Sequence, residues 1–253
     1  MGPVGDALGD CGGSEEGTPR SERDMPPARF PWIEMRIEEC EFPEDVMYDP
    51  EGFVWVREDS GDAVVGITSI LAAVAGKLTT VRAKPGGIIY ARREGIGSIE
   101  SGRYFGLIRA PVRGTLLAVN EEVLRKPRLL SDAPYGDGWF ARLRPEDWRE
   151  DRDTLRTAAA AKDLLRSQIA ALRIHCFAAF PDYEMFEIGV ECSAVLVKLN
   201  ELIPRIEVGE VVHIVSDDAT APVEMAQWTE RTGHPVVDAR REGDLFHYLV
   251  RKA

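Results

Sequence analysis

Residues 95–119 read GIGSIESGRYFGLIRAPVRGTLLAV. Within this stretch, Gly95–Ile99 and Thr115–Val119 are short apolar runs bounded by glycine, proline and serine, a pattern typical of β-strands. Similar runs lie on both sides, between Met35 and about Leu143: Phe53–Val56, Ala63–Ile67, Gly87–Ala91 and Trp139–Leu143. Because the runs are short and separated by turn residues, the sequence predicts a compact all-β unit.

One helix interrupts these strands. Thr68 or Ser69 can cap its start, Gly76 can end it, and Ile70 and Val74 follow helical spacing between them. After the β unit, the alanine- and arginine-rich segment from Asp151 to about Ala179 has apolar residues three to four positions apart, which predicts a connecting helix ending before Pro181. Its predicted apolar face consists of Leu165, Ile169, Leu172 and Cys176.

The remaining residues alternate between strand and helix patterns. We predict the order strand, helix, strand, helix, strand, strand, a two-layer α/β sandwich written βαβαββ. The predicted elements are Tyr183–Ile188, Cys192–Ile203, Glu210–Val215, Ala221–Thr232, Pro235–Arg240 and Leu245–Arg251. The fold class is therefore multidomain α+β. It comprises a disordered, Gly/Pro/Ser-rich tail (residues 1–30), a β domain (31–148), the connecting helix (149–182) and an α/β domain (183–253).

Length and composition limit the classes of function. At 253 residues the chain corresponds to about 1.7 domains of ordinary size. Its net charge of -12 disfavours nucleic-acid binding, although Lys77 to Arg113 holds eight basic residues against Glu94 and Glu100, as expected either for a docking face or for an ordinary solvated surface. The apolar run Ile70–Ala75 is too short to cross a bilayer. We expect a cytoplasmic protein without membrane insertion.

The cysteines and histidines show no metal-binding spacing. Four scattered cysteines, Cys11, Cys40, Cys176 and Cys192, fit a reducing compartment better than a disulfide framework. Neither a glycine-rich nucleotide loop nor a local Ser-His-Asp arrangement is present in the sequence. Any enzymatic role is therefore uncertain, and at most that of a sulfurtransferase-type carrier using Cys192.

Five motifs in the β unit resemble those of the glycine cleavage system H protein family: VVGIT (64–68), GSIES (97–101), APVRGT (110–115), VNE (119–121) and PYGDGW (134–139). The resemblance covers roughly Phe42 to Trp148. It implies a flattened β-barrel or sandwich of the lipoyl-domain type, in which a lysine at a hairpin tip shortly after Glu-Ser is acylated by lipoate.

Arg103 occupies the position that the resemblance assigns to this lysine. Amide formation needs a neutral amine, and a guanidinium stays protonated at physiological pH, so we expect no lipoyl cofactor. The nearest lysines, Lys77 and Lys84, precede the hairpin. With Tyr104 and Phe105 beside it, Arg103 predicts a protein-binding tip. Alternatively, both rings fold back onto the barrel.

The C-terminal unit resembles the TusA (SirA-like) sulfur-carrier family over residues 183–253. The matching motifs are FEIGVEC (186–192), LVKL (196–199), GEV (209–211), SDD (216–218), WTERTGH (228–234) and YLVRK (248–252). Family members carry a persulfide on the cysteine of a Cys-Pro-x-Pro motif that opens the first helix. Here the cysteine is Cys192, and Ser193 and Val195 replace the prolines. A helix N-terminus should lower the pKa of this thiol, whereas adjacent Glu191 opposes that effect. The alternative is a small buried residue.

Two functions are compatible with these two resemblances. The first is a non-lipoylated adaptor or docking subunit of a redox or sulfur-metabolism complex, with a heterodisulfide-reductase-like complex as the partner that the two resemblances imply together. The second is a sulfur carrier that relays a persulfide on Cys192. A lipoyl carrier of the glycine cleavage type is disfavoured by Arg103. The sequence favours the adaptor, since one acceptor residue is replaced and the other lies in an altered motif.

Overall fold

The computed structural model describes residues 34–253, so the predicted disordered tail over residues 1–30 lies outside the described part of the chain. The elements follow one another as two units joined by helical and extended segments. The strands are β1 (Glu34–Ile37), β2 (Cys40–Pro43), β3 (Met47–Asp49), β4 (Val54–Asp59), β5 (Asp62–Ile67), β6 (Leu78–Ala83), β7 (Ile89–Tyr90), β8 (Gly95–Ser101), β9 (Phe105–Arg109), β10 (Gly114–Val119), β11 (Ala141–Pro145), β12 (Arg156–Thr157), β13 (Tyr183–Glu187), β14 (Val211–Ser216), β15 (Val236–Glu242) and β16 (Leu245–Arg251). The helices are α1 (Ser69–Ala75), α2 (Glu121–Arg125), α3 (Leu129–Asp132), α4 (Trp148–Arg152), α5 (Ala158–Leu172), α6 (Cys192–Leu202) and α7 (Ala221–Thr232).

The N-terminal unit is a β-sandwich. A seven-stranded sheet in the order β12-β3-β4-β5-β11-β10-β7 faces a three-stranded sheet in the order β6-β8-β9, and β1-β2 form a separate hairpin. Buried side chains from both sheets, such as Val65 and Ile99, share one apolar core. The predicted sandwich is confirmed, whereas the barrel alternative does not apply, because the described sheets do not close on themselves.

Helix α1 begins and ends where the sequence predicts. The Thr68 side chain accepts a hydrogen bond from the Leu71 backbone N–H at 3.4 Å, which caps the first turn. At the other end, Gly76 adopts a φ of 72°, a conformation that residues with a Cβ rarely take. The helix therefore has a local start signal at Thr68 and a local stop signal at Gly76.

The segment after the β-sandwich contains two helices instead of one. Helix α4 is followed by β12 and then by α5, which ends at Leu172; the next residue, Arg173, is in the left-handed conformation with a φ of 51°. Leu165 and Ile169 are buried on α5 as predicted, but Leu172 is exposed. Cys176 lies beyond the end of α5, so its placement on the helical face is wrong.

The structure contains a disulfide between Cys40 and Cys176, which are 136 residues apart in the chain. The expectation that the cysteines form no disulfide is therefore wrong for this pair. Cys40 lies on β2, and Cys176 lies in the segment without regular secondary structure between α5 and β13. The bond fastens this segment to the N-terminal hairpin.

The C-terminal unit has the predicted βαβαββ order. Its sheet has the order β13-β14-β16-β15, with β13 parallel to β14 and the other pairs antiparallel. Helices α6 and α7 pack together on one face of the sheet, where Leu199, Met225 and Trp228 belong to a buried apolar core. Among residues 34–253, no helix combines the length and the apolar character needed to cross a bilayer.

Candidate functional site

The β8–β9 hairpin presents Arg103 at its tip. Ser101 holds the turn in shape, because its hydroxyl oxygen accepts hydrogen bonds from the backbone N–H groups of Arg103 (3.2 Å) and Tyr104 (3.1 Å). The same hydroxyl donates to the carbonyl of Ala75 at 2.6 Å. The hairpin tip is therefore tied to the end of α1.

The guanidinium of Arg103 joins the two units. Its Nη1 lies 3.0 Å from Oε2 of Glu184 on β13, and its Nη2 donates to the Ala73 carbonyl at 3.0 Å. The group also lies against Gly76, where an added Cβ would come within 2.5 Å of Nε. Arg103 therefore faces the C-terminal unit as well as solvent.

Tyr104 and Phe105 have different surroundings. The Tyr104 side chain is partly buried against the core of the β-sandwich. In contrast, Phe105 is 69% exposed on β9, and Leu107, two residues further on the same strand, is also exposed. Thus one ring folds back onto the sandwich and the other projects into solvent.

Two further ion pairs connect the units. Lys77 Nζ donates to Glu210 Oε1 at 2.5 Å and to the Tyr183 hydroxyl at 2.9 Å. Although burial acts in the opposite direction, these bonds raise the pKa of Lys77. Lys77, one of the two lysines nearest to the hairpin in sequence, is thus held at the domain boundary as a charged group.

The second ion pair is more deeply buried on its acidic side. Arg128 Nη2 lies 3.0 Å from Oδ2 of Asp182, whose side chain is fully buried. The same carboxylate accepts a hydrogen bond from the Val211 backbone N–H at 2.8 Å. Burial raises the pKa of Asp182, against the lowering effects of the Val211 N–H and Arg128. The cation is needed to offset the desolvation of this carboxylate.

Cys192 begins α6, as predicted, but its thiol is buried. The residue is only 1% exposed and belongs to the core beneath the C-terminal sheet. Its backbone N–H donates to Asp218 Oδ2 at 2.6 Å. Burial, followed by the carboxylates of Glu224 and Asp218, raises the pKa of Cys192 to about 12. The expected lowering of this pKa is therefore wrong.

The neighbours of Cys192 differ from those that the sequence suggested. The opposing charges come from Glu224 on α7 and from Asp218, rather than from adjacent Glu191. Val195, at the second altered position of the motif, is buried in the core, whereas Ser193 is exposed. In this arrangement the thiol is protonated at neutral pH and shielded from solvent.

A cleft of about 790 Å³ lies between the two units and was not predicted. It is lined by residues of both, including Arg103, Tyr135, Cys176, Phe186 and His213. Sequence reasoning missed it because its walls come from distant parts of the chain. Within the described residues, no group of histidine, cysteine and acidic side chains has a metal-binding arrangement.

Three histidines that are scattered in the sequence meet at this cleft. His213 Nε2 lies 3.0 Å from His247 Nδ1, and the ring of His175 stacks on that of His247. Phe177 packs against His213 with a centroid distance of 4.6 Å. Burial, together with neighbouring His247, lowers the pKa of His213 to about 4. His213 is therefore neutral at pH 7 and serves as a hydrogen-bonding aromatic surface.

Comparisons with known proteins identify both units. Residues 46–168 match the family model of the glycine cleavage H-protein, and residues 188–252 match that of the sulfurtransferase TusA. The first match extends beyond the β-sandwich into α5. The second spans most of the C-terminal unit and includes Cys192.

Individual relatives match the N-terminal part. Glycine cleavage system H protein 5 of Aquifex aeolicus is 33% identical over 141 residues, which are 54% of this chain and 95% of the relative. Probable glycine cleavage system H protein 3 of Saccharolobus solfataricus is 40% identical over 114 residues, 45% of this chain and 81% of the relative. A crystal structure of an H protein from Mycobacterium marinum gives a TM-score of 0.44 at 24% identity, covering 53% of this chain and all of that one.

Proposed function

The chain belongs to the glycine cleavage H protein family and adds a TusA-like domain, and from this premise we propose that it is a cargo-free adaptor. In this role it carries neither lipoate nor a persulfide and docks onto another protein. The proposed partner is a multi-subunit redox or sulfur-metabolism complex, for which the pairing of two carrier-type domains is the support. A heterodisulfide-reductase-like complex is the specific candidate, by family analogy alone.

The replacement of the acceptor lysine by Arg103 carries this proposal. A guanidinium remains protonated at physiological pH and cannot be acylated as a lysine amine can. The contacts of Arg103 with Ala73 and Glu184 give it another role, that of holding the hairpin tip against the C-terminal unit. These contacts support a static joint in place of a swinging arm.

The state of Cys192 supports the absence of cargo on the second domain. The thiolate is the nucleophilic form of cysteine, and a thiol with a pKa of about 12 is almost entirely protonated at pH 7. A buried sulfur also cannot reach a donor protein without local opening. The persulfide carrier remains the second candidate because Cys192 begins α6 within the TusA-matching region.

The docking surface that fits the adaptor best is the outward face of β9. Phe105 and Leu107 are exposed there, two residues apart and on the same side of the strand. The paired strands place Ser98 opposite Leu107 and Arg82 opposite Ser98, which continues the surface towards an exposed cation. Exposed Glu100 lies opposite Phe105 on the same face, so the apolar centre has charges of both signs at its border and suits a partner with an apolar patch and complementary charges.

The absence of cargo can be tested with the purified protein. We would incubate it with a lipoate ligase, lipoate and ATP, and separately with a persulfide donor, and record intact masses. A bacterial H protein that the ligase modifies controls the first reaction, and Cys192→Ala controls the second. We expect no lipoyl increment and no sulfur adduct that depends on Cys192. A lipoyl group on any lysine contradicts the adaptor, and a Cys192-dependent adduct favours the carrier.

The docking role needs a separate test in the native cell. We would purify the tagged chain with its bound proteins and compare Phe105→Glu with Val208→Glu. Val208 is 76% exposed on the C-terminal unit and provides a matched apolar-to-acidic control. We expect a stoichiometric complex that survives Val208→Glu and is lost in Phe105→Glu. Equal retention in both variants would contradict docking through β9.

A further inference from the structure

The Cys40–Cys176 disulfide borders the cleft between the two units. Cys176 contributes to the cleft wall and is partly exposed, whereas Cys40 is completely buried. A nucleophile that enters the cleft therefore reaches Cys176 before it reaches Cys40. The two ends of this bond differ in accessibility, as in a disulfide that is attacked at one defined sulfur.

We propose that Cys40–Cys176 is a redox-active disulfide that exchanges with a small dithiol in the interdomain cleft, with attack directed at Cys176. This activity goes beyond the adaptor role and does not depend on it. The cleft, at about 790 Å³, is large enough to admit a small organic molecule. A folded protein reductant would not fit into such a space.

The exchange needs no oxidant or reductant besides the dithiol and the protein disulfide. One thiol of the dithiol loses its proton to solvent, and its thiolate attacks Cys176 Sγ. The bond between Cys176 and Cys40 breaks, and Cys40 Sγ leaves with the electron pair and takes up a proton. The second sulfur of the dithiol is deprotonated in turn. It attacks the first dithiol sulfur in the mixed disulfide, which forms a cyclic disulfide. Cys176 leaves as a thiolate and is protonated. The dithiol loses two electrons and two protons, and the protein gains them.

The arrangement favours dithiols over monothiols. After attack by a monothiol, the released Cys40 thiol lies beside the mixed disulfide at Cys176 and can re-form the original bond. A dithiol competes successfully because its second sulfur is already tethered to the same intermediate. Cys192, the free cysteine among the described residues, cannot act as the second thiol, since it is buried in the core on the helix side of the C-terminal sheet.

The surrounding contacts allow the bond to open without unfolding. The segment that carries Cys176 remains attached through Phe177, which packs on His213, and through the Ala178 backbone N–H, which donates to Asp238 Oδ2 at 2.8 Å. Cys40 remains within β2, which is paired with β1. Reduction should therefore leave both units folded.

The proposal is tested on the full chain carrying Cys11→Ser and Cys192→Ser, so that only the pair remains. We would treat the native protein with dithiothreitol or with glutathione at equal thiol concentration, trap thiols with N-ethylmaleimide and record intact masses. Dithiothreitol should convert the protein to the doubly trapped form with unchanged circular dichroism. Glutathione should give little of that form, and any single mixed disulfide should map to Cys176. Reduction only in denaturant, or an adduct on Cys40, would overturn the proposal.

Two single-thiol variants test the direction of attack. In the same background, Cys40→Ser leaves Cys176, and Cys176→Ser leaves Cys40. Reaction with a small aromatic disulfide reagent should be about tenfold or more faster for Cys176, because reactivity follows access to the sulfur. Equal rates, or a faster Cys40, would refute attack from the cleft. Since the mass mapping uses the intact pair, the proposal stays testable if either variant fails to fold.

Discussion

At the scale of single residues, the environment of Cys192 outweighs its position on a helix. A helix N-terminus stabilises a negative charge by about 0.3–1 kcal/mol, and by about 2 kcal/mol in favourable cases. Burial and the carboxylates of Glu224 and Asp218 act in the opposite direction and raise the pKa of Cys192 to about 12. Each pKa unit corresponds to about 1.4 kcal/mol, so the opposing contributions are the larger ones.

This raised pKa makes stability depend on pH. The unfolded thiol titrates near pH 8.5, and the folded one titrates higher, so the folded state binds more protons between the two values. The stabilisation is complete below the unfolded pKa and is lost as pH rises towards the folded pKa. Between pH 7 and pH 9 we expect the wild type to lose about 1 kcal/mol more unfolding free energy than Cys192→Ala. Denaturant titrations at both pH values measure it, and parallel losses would contradict a raised pKa.

The location of Cys192 could be predicted from the sequence, but its surroundings could not. The start of α6 follows from a local change of pattern around residue 192. Asp218, in contrast, reaches the Cys192 N–H across 26 residues of chain, and Glu224 lies on another helix. Contacts of this kind depend on how the elements pack, and a single sequence gives no measure of them.

Among the elements, the end of α1 and the tip of the β8–β9 hairpin pack against each other. Gly76 ends α1 with a φ of 72°. A Cβ added at Gly76 would come within 2.5 Å of Nε in the Arg103 guanidinium. Ser101 links the same hairpin to the Ala75 carbonyl. The end of the helix and the tip of the hairpin are therefore one packed unit.

Replacing Gly76 tests this joint. Gly76→Ala should lower the unfolding free energy by about 1–2 kcal/mol, because alanine is strained at this φ and its methyl group displaces Arg103. Gly86→Ala is the matched control, since its Cβ would meet only ordinary contacts, and it should change stability by less than about 0.5 kcal/mol. Denaturant unfolding measures both variants. Equal effects would show that the joint is not specifically packed.

Elements with local end signals were the predictable ones. Helix α1 has Thr68 as a cap and Gly76 as a stop, and both ends are confirmed. Helix α5 ends at Leu172, and the left-handed residue after it, Arg173, gives no stop signal in the sequence. The predicted helix therefore continued too far and placed Cys176 on a helical face, which concealed its disulfide partner.

At the scale of the whole molecule, buried and partly buried ion pairs fix the two units against each other. Arg128 on the β-sandwich side pairs with Asp182 just before β13, and Lys77 pairs with Glu210 just before β14. Removing one partner of a buried pair leaves a charge without compensation, which costs more than an exposed pair contributes. The stability of the domain boundary should therefore depend on Arg128.

Arg128→Ala should lower the unfolding free energy by about 2–3 kcal/mol, because the buried Asp182 carboxylate loses its cation. The nearby Arg125→Ala serves as control. Arg125 is exposed on α2, and its guanidinium donates to the Glu121 backbone carbonyl, so the expected loss is below about 0.5 kcal/mol. Chemical denaturation of both variants at pH 7 measures the difference, and a loss no larger than that of the control would contradict a coupled boundary.

The domain identities were predictable because their motifs are continuous in sequence, and the two family matches confirm them. The interdomain cleft was not predictable. His175, His213 and His247 meet there from three separate segments, and Cys176 meets Cys40 across 136 residues. Only the assembled fold brings such residues together.

We propose that this H protein relative works without cargo, and the masses of the native protein test this proposal. The chain is isolated from its native cell under non-reducing conditions, and its intact mass and peptide masses are recorded. We predict an unmodified Arg103 peptide, no lipoyl group on any lysine and no sulfane sulfur on Cys192. A lipoyl group or a Cys192 persulfide in a substantial fraction of the molecules would show that the protein carries cargo.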